Sequence, residues 1–193
     1  MKYYLNKQIE WFAKLQQQID ACVVPRHKAI LTTYLLHAGY ELVGESERLF
    51  MPDMMIEEPY YRIFGLGETA LREYRGKPAI KKRFYDDLNQ AIVLVYDETT
   101  AVADWGLAMF ATVATMMRGE QLAATGAPVD DVGATYIAEY FCAERWPFDE
   151  RARLIAEEVF QIGDVKISKV APEDVMTVEE RNAAVRKFLP AKH

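Results

Sequence analysis

The run MMIEEPYYRIF, residues 54–64, sets two adjacent glutamates inside a stretch that otherwise reads as a buried strand. Successive side chains of a strand point to opposite faces, so one of Glu57 and Glu58 must face whatever the strand covers. With Glu58 inward, Met54, Ile56, Tyr60 and Arg62 share its face and Glu57 is left outside. A carboxyl in apolar surroundings has its ionised form disfavoured and its pKa raised, which makes it a usable proton carrier near neutral pH. A second acid, Glu144, alternates in phase with Tyr136, Tyr140, Cys142 and Trp146, a wall of aromatics around one carboxyl. Tyr34, His37 and Glu41 recur at i, i+3 and i+7 and line one side of a helix. This constellation assigns Glu58 as general base, Tyr34 and a protonated Glu144 as hydrogen-bond donors, and His37 as a further acid or orienting group. Tyr60, Arg62, Tyr136, Tyr140, Trp105 and Trp146 are the candidate substrate contacts. Plainer roles exist for each: Glu58 paired with Arg62 at a rim, Glu144 paired with Arg145 or a helix end, Tyr34 and His37 as satisfied core groups. His27 lies near a helix start and carries no assignment, and Asp104 can point to either face.

The elements that must position these groups follow from periodicity. Apolar residues at Leu5, Ile9, Phe12, Leu15 and Ile19 mark an amphipathic helix over residues 5–23. Pro25 opens a second helix that Gly44 closes. Extended chain is expected at 54–64 and 70–74, then a helix over 79–88 behind Gly76 and Pro78. Strands dominate afterwards, at 91–96, 101–117 with a bend at Gly106, 134–146 and 153–162, with turns at Asp97-Glu98 and Gly119. Thr177 and Glu180 form a capping box ahead of a last helix over 178–188. Helices followed by long strands predict an α+β domain with helices packed on one face of a mostly antiparallel sheet. The expected divisions are an N-terminal helical extension over 1–24, a central domain over 25–172 and a C-terminal helical tail over 173–193.

The 193 residues are 51% apolar and 27% charged, enough for a sizeable core, and the net charge of -6 with scattered cations argues against a nucleic-acid partner. Apolar runs are too short or too interrupted for a membrane span, and the N-terminus lacks a signal-peptide pattern, so a cytoplasmic protein is expected. Cys22 and Cys142 have no CxxC spacing, the three histidines are dispersed, and no phosphate-binding loop is present. No cofactor and no metal are therefore expected.

The order of "LFMPDMMIEEP", "YRGKPAIKKRFYDDL" and "FDERARLIAEEVF" after a helix resembles the NTF2-like superfamily, the cone-shaped fold of ketosteroid isomerase and the SnoaL-like cyclases. The resemblance covers about residues 25–172 and implies a curved, mostly antiparallel sheet with helices on its concave face. In the isomerase pattern the helical tyrosine falls on Tyr34, the acid before a proline on Glu58-Pro59, and the second acid on Glu144. Both acids are glutamate here and the insertion over 60–73 is longer, so a similarly placed acid–base constellation is implied rather than a steroid isomerase. The expected function is a cofactor-independent lyase acting on a hydroxylated, apolar, aromatic small molecule, with deformylation of a lignin-derived diaryl compound as its sharpest form. The alternatives are a dehydratase or isomerase of a polyketide- or steroid-like compound, a non-catalytic binder of hydrophobic ligands, and an epoxide hydrolase, whose Asp-Arg-Asp set has no place in this sequence. The resemblance further implies a homodimer or higher homo-oligomer.

Overall fold

The computed structural model describes residues 2–65, 68–85 and 92–191, with the side chains of 68–70, 83 and 84 outside that description. Two helices open the chain, α1 (Tyr3–Ala21) and α2 (Pro25–Leu42), followed by the short α3 (Ser46–Leu49). Then come β1 (Met55–Gly65), β2 (Glu68–Arg75), α4 (Lys77–Ile80) with a π-helical turn (Lys81–Tyr85), β3 (Ile92–Ala103) and β4 (Gly106–Arg118). The chain ends in α5 (Gly119–Ala124), β5 (Thr135–Pro147), β6 (Leu154–Lys169) and α6 (Val178–Val185). The fold is α+β. Its curved six-stranded sheet runs β2-β1-β6-β5-β4-β3, antiparallel at every joint except the parallel β1–β6 pair.

The helices cover one face of this sheet because their apolar stripes demand it. Trp11, Phe12, Leu15 and Ile19 of α1 and Ile30, Leu31, Tyr34 and Leu35 of α2 join Tyr61, Ile63, Leu107, Met109, Cys142, Trp146 and Val159 of the strands in one core. Phe12 stacks on Phe188 at 5.2 Å, so both chain ends enter this core. A smaller cluster of Leu94, Tyr96, Ala114, Met116, Ile137, Val170 and Met176 uses the opposite parity of the same strands. The Thr177–Glu180 capping box is present: Glu180 N–H donates to the Thr177 hydroxyl and Thr177 N–H to the Glu180 carboxylate. No helix of the described residues is long and apolar enough to cross a membrane.

Three local expectations change. The run 101–117 is two strands: Ala103 pairs with Gly106 across a two-residue turn at Asp104-Trp105. A Cβ at Gly106, whose φ is +146°, would lie 2.1 Å from the Trp146 carbonyl oxygen. Asp97-Glu98 is a bulge within β3 rather than a turn: Asp97 has φ 53° and the pairing slips between Tyr96 and Thr99. Gly119, expected as a turn, opens the short α5. The end of the expected 79–88 helix lies outside the described residues.

Candidate active site

The β1 phase is opposite to the one expected. Met55, Pro59, Tyr61 and Ile63 are buried, whereas both Glu57 and Glu58 are exposed. Proline has no N–H to give a ladder, and the β1–β6 pairing breaks between Met55 and Tyr60. Glu57 and Glu58 fall in that gap. Glu57 pairs with Lys77 at 2.9 Å, and Glu58 lies beside Gly76. Tyr60 and Arg62 likewise face outward: Arg62 sits over the Tyr60 ring and pairs with Glu73 at 2.6 Å and Glu158 at 3.2 Å. Glu58, Tyr60 and Arg62 thus stand away from the concave face.

On that face a cavity of about 250 Å³ is lined by apolar side chains together with Trp11, Tyr34, Glu41, Arg72, Tyr140, Glu144, Trp146 and Glu157. Tyr34, His37 and Glu41 do share the sheet-facing side of α2, as their spacing predicts, since Tyr34 and His37 are both almost fully buried. Glu144 comes from β5 and is paired with Val159 of β6. Two residues before Val159, and therefore on the same face, stands Glu157, a diagonal neighbour of Glu144. Tyr140 and Trp146 also line the cavity. Trp105 is exposed at the β3–β4 turn, where Arg145 lies 5.2 Å from its ring, and Tyr136 lies at the far end of β5 with its hydroxyl donating to Asp130. Asp104 pairs with His27 at 2.9 Å on the surface.

The polar groups of the cavity are held by short contacts. Trp146 Nε1 donates to Glu144 Oε2 at 2.8 Å, and Cys142 Sγ donates to Glu144 Oε1 at 3.3 Å. The Tyr34 hydroxyl donates to Glu98 Oε2 at 2.5 Å, which also accepts from Trp11 Nε1 at 2.9 Å. Glu98 reaches this face because of the β3 bulge, which shifts the inward parity from Val93 and Val95 to an even-numbered residue. His37 Nε2 lies 3.0 Å from the Tyr85 hydroxyl, 3.3 Å from that of Tyr61, 3.7 Å from Glu41 Oε2 and 3.9 Å from Glu157 Oε2. The π-helical turn presents Tyr85 to this cluster, a distortion of the kind often found at functional sites. Glu157 Oε2 and His37 Nδ1 are buried without a hydrogen-bond partner.

Burial sets the charge states. Desolvation lowers His37 to about 3 and keeps it neutral. Desolvation raises Glu41 to about 8, helped by the charge of Glu144. Glu144 is raised by desolvation only to about 7, because the Trp146 and Cys142 donors favour its ionised form. Glu157 lies well above the ordinary glutamate range through desolvation and its neighbours Glu41 and Glu144. Near neutral pH these acids divide: Glu144 is substantially ionised and Glu157 protonated, the separation that fits one base and one acid.

His37, Glu41 and Glu157 bring one donor atom each within 4.8 Å of one another, so they could hold a cation. Their fit is poor on two counts: the ring nitrogen that would ligate is already engaged by two tyrosine hydroxyls, and Nδ1 lacks the partner that orients a ligating histidine.

Glu157, Glu98, Tyr61, Tyr85, Trp11 and Arg72 were not among the sequence candidates. Glu157 was findable, since "AEEVF" is an adjacent acid pair in a strand, the same signal as in β1. Glu98 was hidden by a bulge that reads as a turn.

No family model and no curated protein matches the chain. Among solved structures it is similar to SalBIII, described as an epoxide hydrolase/cyclase-like enzyme with a role in pyran ring formation in polyether salinomycin. The TM-score is 0.41 at 12% identity, covering 67% of this chain and 89% of that one.

Proposed function

We propose that this chain is an NTF2-like, cofactor-independent acid–base enzyme, a lyase acting on a small, hydroxylated aromatic compound enclosed in the concave-face cavity. The observation that carries the reading is the cluster of Glu144, Glu157, Glu41 and Tyr34 in a largely apolar cavity, with the buried His37 3.7 Å from Glu41 and 3.9 Å from Glu157, since burying several carboxyls that are not ion-paired to Lys or Arg costs stability that a purely structural core has no reason to bear. Glu144 serves as the base and Glu157 as the acid, while Tyr34, whose hydroxyl proton is given to Glu98, shapes the cavity wall beside them. The neutral His37 orients the Tyr61–Tyr85 hydroxyl pair, whose oxygens are 2.9 Å apart.

In its sharpest form the reaction is loss of formaldehyde from an aryl propanediol. Glu144 takes the proton of the primary hydroxyl, and the carbon–carbon bond to that carbon breaks as formaldehyde leaves. The released electron pair becomes a double bond while the benzylic hydroxyl departs as water with the proton of Glu157. One proton is taken and one is given. At about 250 Å³ the cavity is smaller than the roughly 300–1,000 Å³ common for ligand pockets, so a diaryl compound would occupy it with a single aryl group. A mass-spectrometric screen of hydroxylated mono- and diaryl compounds, coupled to a formaldehyde assay, tests the reading with Glu144→Gln and Glu157→Gln as controls. Turnover by the parent that both variants lose is expected. Binding without turnover by any of them would instead make this a non-catalytic carrier.

A second copy of the chain is the proposed partner. Phe64, Phe110, Phe141, Phe160 and Ile162 are exposed on the outer face, Phe110 and Phe160 flank Ala143 on neighbouring strands, and exposed apolar patches of this kind mark association surfaces. Light scattering should give a dimer mass that Phe141→Glu reduces to a monomer.

A further inference from the structure

The cavity holds a charge that the acid–base scheme leaves unused. Arg72 and Tyr74 of β2 pair with Ile63 and Tyr61 of β1, so they share the inward parity, and Arg72, Tyr74 and Ile63 all line the cavity. The other arginines around this hairpin have partners: Arg62 and Arg75 bind Glu73, and Arg145 binds Glu158, all on the outer face. Arg72 forms no ion pair with any described residue, and its Nε is buried without a hydrogen-bond partner. Among the described lining residues it is the sole permanent cation.

A buried, unsatisfied guanidinium N–H calls for an acceptor, and a planar fork matches a carboxylate better than any other common anion of small aryl compounds. Phenols are neutral near pH 7, as the ordinary tyrosine value of about 10 illustrates, whereas carboxylic acids are ionised. An anion can enter beside the three glutamates because burial holds most of them protonated. We propose that Arg72 anchors the carboxylate of the substrate, so that the compound taken by this cavity is an aryl carboxylic acid with its reactive carbons held toward Glu144 and Glu157. This rests on the reading of the cavity as a substrate site.

The test needs no knowledge of the reaction. Trp11 and Trp146 line the cavity, so intrinsic fluorescence, checked by calorimetry, reports occupancy by matched probes: 3-phenylpropanoate, its alcohol and its amide. The parent should bind the acid at least about tenfold more tightly than either neutral compound, a difference of about 1.4 kcal/mol. Arg72→Gln should erase that preference and leave neutral binding unchanged, and Arg72→Lys should restore part of it. Arg75→Gln, on the outer face of the same strand, should alter nothing. Equal affinities in the parent, or a preference that survives in Arg72→Gln, overturn the proposal while the cavity remains a ligand site. If neither the acid nor its neutral analogues bind, the substrate-site reading itself falls, and this proposal with it.

Discussion

Two pairs of adjacent glutamates, Glu57-Glu58 and Glu157-Glu158, look alike in sequence and meet opposite fates. In β6 the ladder to β5 is regular at Arg145–Glu158 and Glu144–Val159, so strict alternation points Glu157 to the concave face under α2 and Glu158 to the opposite face, where it is buried between Arg62 and Arg145. In β1 the proline removes a ladder donor, the pairing to β6 lapses, and both glutamates face solvent. An acid pair in a strand therefore locates a buried carboxyl only where the ladder around it is continuous.

The largest effect that would break this contrast is on turnover. Glu144→Gln should lower turnover of a substrate found by the screen about 10²–10⁴-fold, the usual worth of a general base. Glu157→Gln should cost about 10²-fold. Glu58→Gln should leave it unchanged; a loss there matching that of Glu157→Gln would restore the proline-linked glutamate as base.

Next in size is the dependence of stability on pH. Glu41 and Glu144 have folded-state values of about 8 and about 7 against an ordinary 4.5, and Glu157 shifts the same way. The folded state then holds more protons than the unfolded one above pH 4.5, so stability falls as pH rises toward 8. His37 acts in the opposite sense: lowered to about 3 from 6.5, it costs stability as pH falls below 6.5. Three carboxyls outweigh one imidazole, so calorimetric Tm should be highest in mildly acidic buffer and decline toward pH 8. Glu157→Gln, already neutral, should flatten that decline and raise Tm at pH 8. A Tm that climbs from pH 5 to 8 would show that these carboxyls are ionised in the fold.

Smaller changes belong to the outer partners. Glu158→Ala frees two half-exposed arginines and should cost about 1 kcal/mol in urea unfolding. Glu58→Gln should stay within about 0.5 kcal/mol of the parent. A larger cost for Glu58→Gln than for Glu158→Ala would reverse the contrast.

Legibility followed the same physics. The helical stripe of Tyr34, His37 and Glu41 and the β5 face of Tyr140, Glu144 and Trp146 were readable because regular helices and unbroken strands keep their period. Glu98 and Tyr61 were not, since a bulge and a broken ladder each shift parity by one residue, and nothing local to the sequence fixes where pairing lapses. Tyr85 and Arg72 became visible only through long-range packing.

The lone parallel joint in the sheet also orders events in time. Strands β3 to β6 form an antiparallel run of chain neighbours, whereas β1 reaches β6 across most of the domain. Contacts of low sequence separation form early and distant ones late. Glu144 and Glu157 should thus be side by side in the folding transition state, before the β1–β2 hairpin brings Arg72 to the cavity. Substitutions in that hairpin should then chiefly hasten unfolding, while those between β5 and β6 slow refolding, a difference that stopped-flow chevrons can measure.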